Sequence, residues 1–274
     1  MKNWIHKEGQ KGQEVRRLQE ALSISADGSF GPLTRQAVEQ YQADNNLSVD
    51  GSVGPETREA LGIQIYAGID VSRYQGDVDF LKLKNSKMAD FCWVKISEGN
   101  TFLDKKLKQN LKGMRSAGIP VGGYHFARPD LHEDPTKEVK NFVENCDLKP
   151  GDLRPVLDFE NADNHTPDSI RAWVVEFLKQ AESLFGVRPI VYTGGNMVKY
   201  ALNRDTTGID EYMLWHALYS KKALTNGIPK DRLGGWKEWR IWQWTASGKV
   251  DGIKGDVDRN WLVGGPTALK SIFA

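Results

Sequence analysis

The feature that most limits the fold of this 274-residue chain is a regular alternation of short apolar runs with longer helical stretches after Tyr66. Such alternation is typical of βαβ units and predicts a mainly parallel sheet. About 210 residues with seven or eight strands predict an α/β fold, a compact and irregular barrel whose chemistry lies at the carboxyl ends of the strands. The runs that we expect to form strands are 67–71, 91–96, 121–126, 155–159, 189–193, 213–218 and 240–244.

An internal repeat sets the first part of the chain apart. Asp27–Arg35 has the sequence DGSFGPLTR, and DGSVGPETR follows 23 residues later at Asp50–Arg58. Asp-Gly is typical of a tight turn, and Pro is tolerated in the first turn of a helix, so each copy predicts a turn that starts a helix. With one amphipathic helix upstream, residues 1–62 are predicted to form a small three-helix all-α domain, followed by the barrel domain over residues 65–274.

Charge, hydropathy and cysteine content argue against several classes of function. Lys and Arg number 37 against 36 Asp and Glu, a net charge of +1, so a nucleic-acid ligand is not expected. No run approaches the ~20 apolar residues of a membrane span, and the first 13 residues lack the apolar core of a signal peptide, which favours initial retention in the cytoplasm. Cys92 and Cys146 are interpreted as buried thiols, and the histidines lack metal-ligand spacing, so neither a metal nor another cofactor is expected.

Carboxylates gather at the predicted strand ends, where the chemistry of a barrel is expected. Asp70 ends the first run, Asp158 and Glu160 end the fourth, and Asp258 belongs to the last segment. Because side chains alternate along a strand, Asp158 and Glu160 point to the same face and lie side by side at the barrel mouth. Repulsion between like charges raises the pKa of one carboxyl, which then keeps its proton while the other stays ionised. Glycoside cleavage requires that division of labour.

Aromatic side chains are expected around the same mouth. Sugar rings present apolar faces that stack on aromatic planes, and nine Trp suit a protein that binds glycans. The residues that we expect to contact substrate are Tyr74, Tyr124, Tyr192, Trp215, Trp242 and Trp244, with Gln243 between the last two.

Six ordered motifs of the second domain resemble those of glycoside hydrolase family 25 lysozymes. They are Gly68-Ile69-Asp70-Val71-Ser72 with Tyr74-Gln75-Gly76, Val94-Lys95-Ile96-Ser97-Glu98-Gly99, Gly123-Tyr124-His125-Phe126, Leu157-Asp158-Phe159-Glu160, Trp242-Gln243-Trp244 and Val257-Asp258-Arg259-Asn260. The resemblance implies a flattened α/β barrel that hydrolyses the β-1,4 bond between N-acetylmuramic acid and N-acetylglucosamine. The doubled turn motif is similar to the peptidoglycan-binding domain of bacterial and phage cell-wall hydrolases.

The resemblance also implies roles for four acids. Glu160 becomes the general acid and Asp158 its partner, while Asp70 and Asp258 position the sugar or tune that pair. The partner either attacks the anomeric carbon itself or orients the 2-acetamido group so that its carbonyl attacks, and the sequence leaves both routes open. Cα atoms two residues apart on one strand are only ~6–7 Å apart, which suits a retaining geometry better than an inverting one.

Three other polar residues of these segments have simpler interpretations. Glu98 is expected to pair with Lys95 as a strand-end charge, and His125 to make a structural hydrogen bond. His216 stands where the family more often has an aliphatic residue, which bears on subsite detail.

A hydrolase joined to a wall-binding module, without a signal peptide, most resembles a phage endolysin. Such an enzyme accumulates in the host cytoplasm as a monomer, without stable membrane association, and reaches the wall and periplasm when a holin opens the membrane. The N-terminal place of the module favours a Gram-negative host, and bacterial peptidoglycan is the expected partner. One alternative is a non-catalytic, lectin-like barrel, against which the intact acidic set argues. Another is a same-fold hydrolase of chitin-like glycans, against which only the wall-binding module argues.

Overall fold

The structure is a computed structural model that describes residues 6–220, 222–223, 227–265 and 267–274. Its Cα positions divide the chain into two compact units. The smaller unit comprises Met1–Ile65, Ser220–Pro229 and Val263–Ser271, and the larger comprises Tyr66–Tyr219, Lys230–Leu262 and Ile272–Ala274. The domain limits expected from the sequence, residues 1–62 and 65–274, stay a prediction.

Between residues 6 and 65, the described part of the smaller unit contains the helices α1 (Gln13–Ala21), α2 (Pro32–Asp44) and α3 (Pro55–Ala60). Both α2 and α3 begin with the proline that the repeat places in the first helical turn. The prediction of a small three-helix fold is therefore confirmed. Its buried apolar core consists of Val15, Leu18, Phe30, Val38 and Val53.

A buried glutamine fixes each turn of the repeat. Gln19 accepts a hydrogen bond from the amide of Gly28 at 2.8 Å. Its side-chain nitrogen donates to Asp27 Oδ1 at 2.8 Å and to Thr34 Oγ1 at 3.0 Å. Gln42, 23 residues later, makes the corresponding three bonds in the second copy. One buried amide per copy therefore explains why both copies share Asp, Gly and Thr at the same spacing.

The larger unit is built around a closed, barrel-like sheet of eight strands, with a short extra strand at one edge. Each of the seven predicted runs forms a strand, so the predicted α/β barrel is confirmed, while two further strands were not predicted. In the described residues the strands are β1 (Gln64–Val71), β2 (Phe91–Glu98), β3 (Phe102–Leu103), β4 (Val121–Phe126), β5 (Val156–Phe159), β6 (Ile190–Gly194), β7 (Met213–Ala217), β8 (Ile241–Gly248) and β9 (Val257–Gly264).

The order of pairing makes the barrel irregular. Parallel pairs run from β1 to β2, on through β4, β5, β6 and β7, and end at β8. The last strand, β9, pairs antiparallel with β8 and lies beside β1, which closes the barrel. Only residues 249–256 join β8 to β9, and so short a connection cannot carry a crossover helix.

Helices connect the earlier strands and cover the sheet. They are α4 (Phe80–Ser86), α5 (Leu107–Ser116), α6 (Thr136–Cys146) and α7 (Pro167–Phe185), with a π-helical turn at Met197–Ala201. No helix in the described parts of the chain is long and apolar enough to cross a membrane. Cys92 and Cys146 are buried free thiols, as the sequence predicted.

Large aromatic side chains fill the barrel below its mouth. Trp93 of β2 packs against Trp215 of β7, with 4.7 Å between the ring centroids, and its ring meets that of Phe91 edge-on. Gly68 on β1 provides the room, because a Cβ there would lie 2.0 Å from the Phe91 ring. This aromatic layer fills the barrel interior directly below the strand ends, where a site is expected.

Candidate active site

A pocket of about 220 Å³ opens at the carboxyl ends of the barrel strands. It brings together all four predicted acids and five of the seven residues expected to contact substrate. These nine are Asp70, Asp158, Glu160, Asp258, Tyr74, Tyr124, Tyr192, Trp215 and Gln243. The remaining lining residues, which were not predicted as site residues, are Ser72, Lys95, Phe126, Val156 and Tyr219.

Asp158 and Glu160 lie at different depths of the pocket. β5 ends at Phe159, so Asp158 belongs to the strand and Glu160 is the first residue beyond it. Asp158 is 6% exposed, and its Oδ1 has no hydrogen-bond partner among the described residues. Part of the Glu160 side chain is exposed at the mouth, while protein atoms surround its carboxyl. The pair thus offers one carboxyl to the interior of the pocket and one to its rim.

Burial raises the pKa of both carboxyls of this pair. Burial is the larger cause for Asp158 and the charge of Glu160 the next, and together they raise the pKa of Asp158 well above its ordinary value. Burial also raises the pKa of Glu160, whereas the positive charge of Lys95 acts in the opposite direction on both acids. The pair therefore holds a proton more firmly than isolated carboxyls do, and most firmly at the deeper one.

Asp70 and Asp258 form a second pair on β1 and β9. Asp70 is 8% exposed, and its Oδ2 accepts hydrogen bonds from Gln243 Nε2 at 3.0 Å and Asn260 Nδ2 at 2.7 Å. Burial, followed by the charge of Asp258, raises the pKa of Asp70 well above its usual range. Burial also raises the pKa of Asp258 to about 6. Two pairs of acids, each with elevated pKa values, therefore share one small pocket.

Gln243 holds this second pair in place. Its Oε1 accepts hydrogen bonds from Tyr192 Oη at 2.7 Å and from the Tyr219 hydroxyl, while its nitrogen donates to Asp70. Both lone pairs of the amide oxygen are therefore used within the protein. The residue is 2% exposed and lines the pocket, so these bonds let it support the site, and its contact with sugar stays a prediction.

Among the residues that the sequence did not predict as site residues, Asn260 and Tyr219 bind predicted ones directly. Asn260 is fully buried, donates to Asp70, and accepts a hydrogen bond from Trp215 Nε1 at 2.9 Å. It stands in the quoted motif two residues after Asp258, on the same face of β9, so the period of the strand was a signal for it. Tyr219 lies just beyond β7, and no motif marks it.

The structure does not place Trp242 and Trp244 in this pocket, where they are expected to contact substrate. Neither side chain lines the pocket, although Gln243 between them does. Trp242 is 1% exposed and donates from Nε1 to the carbonyl of Leu218 at 3.0 Å. Trp244 stacks on Trp261 with 5.3 Å between ring centroids. Neighbours of an inward residue face outward on a strand, so both tryptophans pack behind the sheet.

Glu98 takes part in an ion-pair chain at the edge of the pocket. Its two oxygens contact Lys95 Nζ at 2.7 Å and Arg128 Nη1 at 3.0 Å. Arg128 in turn binds Asp130 through two hydrogen bonds of 2.9 and 2.8 Å. This pairing agrees with the expectation of a strand-end charge, and it leaves Lys95 lining the pocket.

The histidines of the motifs lie outside the pocket. His125 is fully buried between Ser97 Oγ at 2.8 Å and Glu138 Oε2 at 2.9 Å, a structural role as expected. His216 is also fully buried, and burial followed by the charge of Arg232 lowers its pKa to about 4. Its departure from the family pattern therefore does not reach the pocket lining. Within the described residues, no group of three possible metal ligands is found.

A closed α/β barrel with paired carboxyls at its mouth has the architecture of a carbohydrate-cleaving enzyme. Residues 69–253 match the family model described as Glycosyl hydrolases family 25, so the chain belongs to that family. Residues 11–61 match a model for a peptidoglycan binding domain. The resemblance seen in the six motifs is thereby confirmed.

Relatives with known sequences or structures agree with this assignment. The chain is 32% identical to the uncharacterized protein YegX of Escherichia coli (strain K12) over 199 residues, which are 70% of this chain and 68% of YegX. It is 28% identical to Lysozyme M1 of Streptomyces globisporus over 218 residues, 75% of this chain and 70% of that protein. The crystal structure of the bacterial lysozyme from Streptomyces coelicolor superposes with a TM-score of 0.68 at 26% identity, covering 76% of this chain and 96% of the lysozyme.

Proposed function

We propose that the protein is a muramidase that hydrolyses the β-1,4 bond between N-acetylmuramic acid and N-acetylglucosamine in bacterial peptidoglycan. The observation that carries the proposal is the pair Asp158 and Glu160, one deep and one at the rim of a pocket with aromatic walls. The similarity to Lysozyme M1 supports a cell-wall substrate. The match of residues 11–61 to a peptidoglycan binding domain supports the same polymer.

In the proposed mechanism Glu160 donates its proton to the glycosidic oxygen as the bond to the anomeric carbon breaks. Its exposed side chain at the mouth can reach the leaving sugar. Asp158 is buried and keeps its proton more firmly, so it suits a hydrogen bond to the 2-acetamido group better than attack as a free carboxylate. The acetamido carbonyl then attacks the anomeric carbon, and water later completes hydrolysis with retained configuration.

Asp70 and Asp258 support this reaction from the opposite wall. Asp70 is fixed by two donors, Gln243 and Asn260, and therefore offers a rigid carboxyl to a bound sugar. Asp258 is less buried and carries a pKa raised to about 6, so its charge changes near that pH. We propose that this pair orients the sugar and sets the charge opposite Glu160.

Mass spectrometry of digested peptidoglycan tests the reaction. The proposal expects new reducing ends on N-acetylmuramic acid. New ends on N-acetylglucosamine, or freed peptides, would contradict it. Chitin oligosaccharides digested in parallel test the chitin-like alternative, which requires comparable turnover on them. The lectin-like alternative requires wall binding without any product.

We further propose that residues 11–61, which match a peptidoglycan binding domain, concentrate the enzyme on its insoluble substrate in the manner of a tethered second binding site. A chain that begins at Ile65, with folding checked by circular dichroism, should cleave soluble fragments normally. Its activity on whole sacculi should fall at low enzyme concentration. Equal activity of both proteins on sacculi would contradict the targeting role.

The combination of wall-binding and hydrolytic modules supports a role in lysis, and we propose that the protein is a phage endolysin. A holin would then supply passage across the inner membrane. The enzyme produced inside Gram-negative cells should leave them intact until that membrane is permeabilised, and then lyse them. Lysis without permeabilisation would contradict dependence on a holin. Survival of permeabilised cells would contradict the lytic role.

A further inference from the structure

Lys95 is the one cationic side chain that lines the pocket within the described part of the chain. Its neighbours there include four acids, and the mechanism proposed above does not use it. The residue is 7% exposed, so its ammonium is largely removed from water. A buried ammonium is costly unless anions compensate it, so its place among acids calls for a physical reason.

The register of the sheet places this ammonium at the level of the acid pair. Lys95 on β2 pairs with Tyr124 on β4, and Phe126 on β4 pairs with Asp158 on β5. Lys95 Nζ lies 4.7 Å from the centre of the Phe126 ring. The Lys95 side chain therefore extends past two residues of β4 toward the carboxyl end of the barrel. Its ammonium reaches the level of Phe126 and Asp158 in the sheet, two residues before Glu160.

The ammonium is held rigidly on its other side. Glu98 contacts it at 2.7 Å and also binds Arg128 at 3.0 Å, so one carboxylate bridges two cations. Only one of the three N–H groups of Lys95 is used by this contact. The titratable groups around the ammonium are Glu98 on β2, Tyr124 on β4, Arg128 after β4, and Asp158 and Glu160 at β5, and its charge also acts on His125, which lies outside the pocket.

We propose that Lys95 is a positioning residue for glycoside cleavage, whose ammonium compensates the negative charge that Glu160 gains when it gives up its proton. This inference rests on the proposed function. In the step concerned, the proton moves from Glu160 to the glycosidic oxygen, and the electron pair of the broken bond stays on that oxygen. The carboxyl of Glu160, next to Asp158, then carries one more negative charge. A fixed cation at this place stabilises the charge without reorganisation of solvent.

The pH profile of activity separates this role from a merely structural one. Lys95→Met removes the charge and keeps the length of the side chain. Both limbs of the profile should then move to higher pH, by about one pH unit, because the carboxyls lose an adjacent positive charge. The value of kcat at the new optimum should fall at least about tenfold, with KM little changed, since a charge formed during the reaction is no longer compensated. Lys95→Arg should restore both limbs.

A second variant gives a shift of opposite sign. Glu98→Gln removes a negative charge beside Lys95 and should move both limbs to lower pH. It carries the test even if Lys95→Met fails to fold. Lys112→Met, an exposed lysine on α5, serves as the matched control and should leave the profile unchanged.

Two outcomes overturn the inference. One is a Lys95→Met profile within about 0.2 pH unit of the wild type, where an adjacent charge should act more strongly. The other is a shift of the same sign in Lys95→Met and Glu98→Gln. Glu160→Gln, measured alongside, shows whether a negative result concerns only the role of Lys95 or the proposed function as a whole. If Glu160→Gln is inactive while Lys95→Met keeps its profile, only the role of Lys95 is wrong. If Glu160→Gln stays active, the proposed function is wrong.

Discussion

Replacement of Glu160 by glutamine is the most direct test of the proposed chemistry. The amide keeps the shape of the side chain and has no proton to donate at neutral pH. Glu160 is exposed at the pocket mouth, and exposed substitutions usually change stability by no more than about 0.5 kcal/mol. Asp158, which is buried next to it, loses a negative neighbour and should ionise more readily in this variant. The fold should therefore persist while the proton donor is lost.

The expected loss of rate follows from the proton that the leaving sugar no longer receives. General acid catalysis contributes about 10²–10⁴ in rate. That range equals about 3–5 kcal/mol of transition-state stabilisation. The change in folding stability expected for this substitution is much smaller than the expected loss of transition-state stabilisation. A rate loss of this size therefore reflects the chemistry and not unfolding.

The assay compares two substrates on the same enzyme preparations. Release of reducing sugars from peptidoglycan should fall by the full factor in Glu160→Gln. Cleavage of an aryl glycoside with a good leaving group needs no proton and should fall far less. Asp256→Asn is the matched control, because Asp256 is an exposed acid two residues from Asp258 that pairs with Lys249 on the surface at 2.8 Å. Retention of more than about a tenth of the wild-type rate on peptidoglycan would refute the assignment of Glu160.

Three further changes test the rest of the site. Asp158→Asn should fold and should lower the rate on peptidoglycan about as much as Glu160→Gln, because the carboxyl proposed to hold the 2-acetamido group is lost; a rate near that of the wild type would contradict this. Asn260→Leu removes two buried hydrogen bonds and should lower the free energy of unfolding, measured in urea, by about 2–4 kcal/mol. A decrease of less than about 1 kcal/mol would contradict a stabilising role for these bonds. Asp258 has a folded pKa of about 6 against 3.8 ordinarily, so the folded protein binds more protons and loses stability as pH rises between these values. Asp258→Asn should therefore raise the melting temperature more at pH 7 than at pH 4, and the reverse order would contradict the sign.

The parallel strands were predictable because each is a short apolar run between helical stretches. β2 and β6, for example, are buried along nearly their whole length, and each begins with three or more apolar or aromatic residues that mark it in the sequence. β9 was missed because its first half is polar and faces the pocket. Its antiparallel pairing with β8 also breaks the strand-helix alternation on which the prediction was based.

The acids of the site were predictable for a different reason. Alternation along β5 places Asp158 and Glu160 on one face, and the pocket contains both. The same argument was not applied to β8, where Gln243 faces the pocket and its neighbours Trp242 and Trp244 cannot. Contacts between distant strands are not encoded in local pattern, so the bond from Asn260 to Asp70, across 190 residues, required the structure.

The hydrogen bonds around the four acids suggest how the two pairs divide their work. Asp70 accepts hydrogen bonds from β8 and β9 on one of its oxygens, so its carboxyl is already fixed in place before a sugar arrives. Asp158 is almost as buried, yet one of its oxygens has no partner among the described residues. An unsatisfied buried oxygen costs free energy in the empty enzyme, and a substrate that supplies the missing bond recovers it. We therefore expect Asp158 to gain a hydrogen bond when the substrate binds, while Asp70 presents to the sugar a carboxyl that is already fixed.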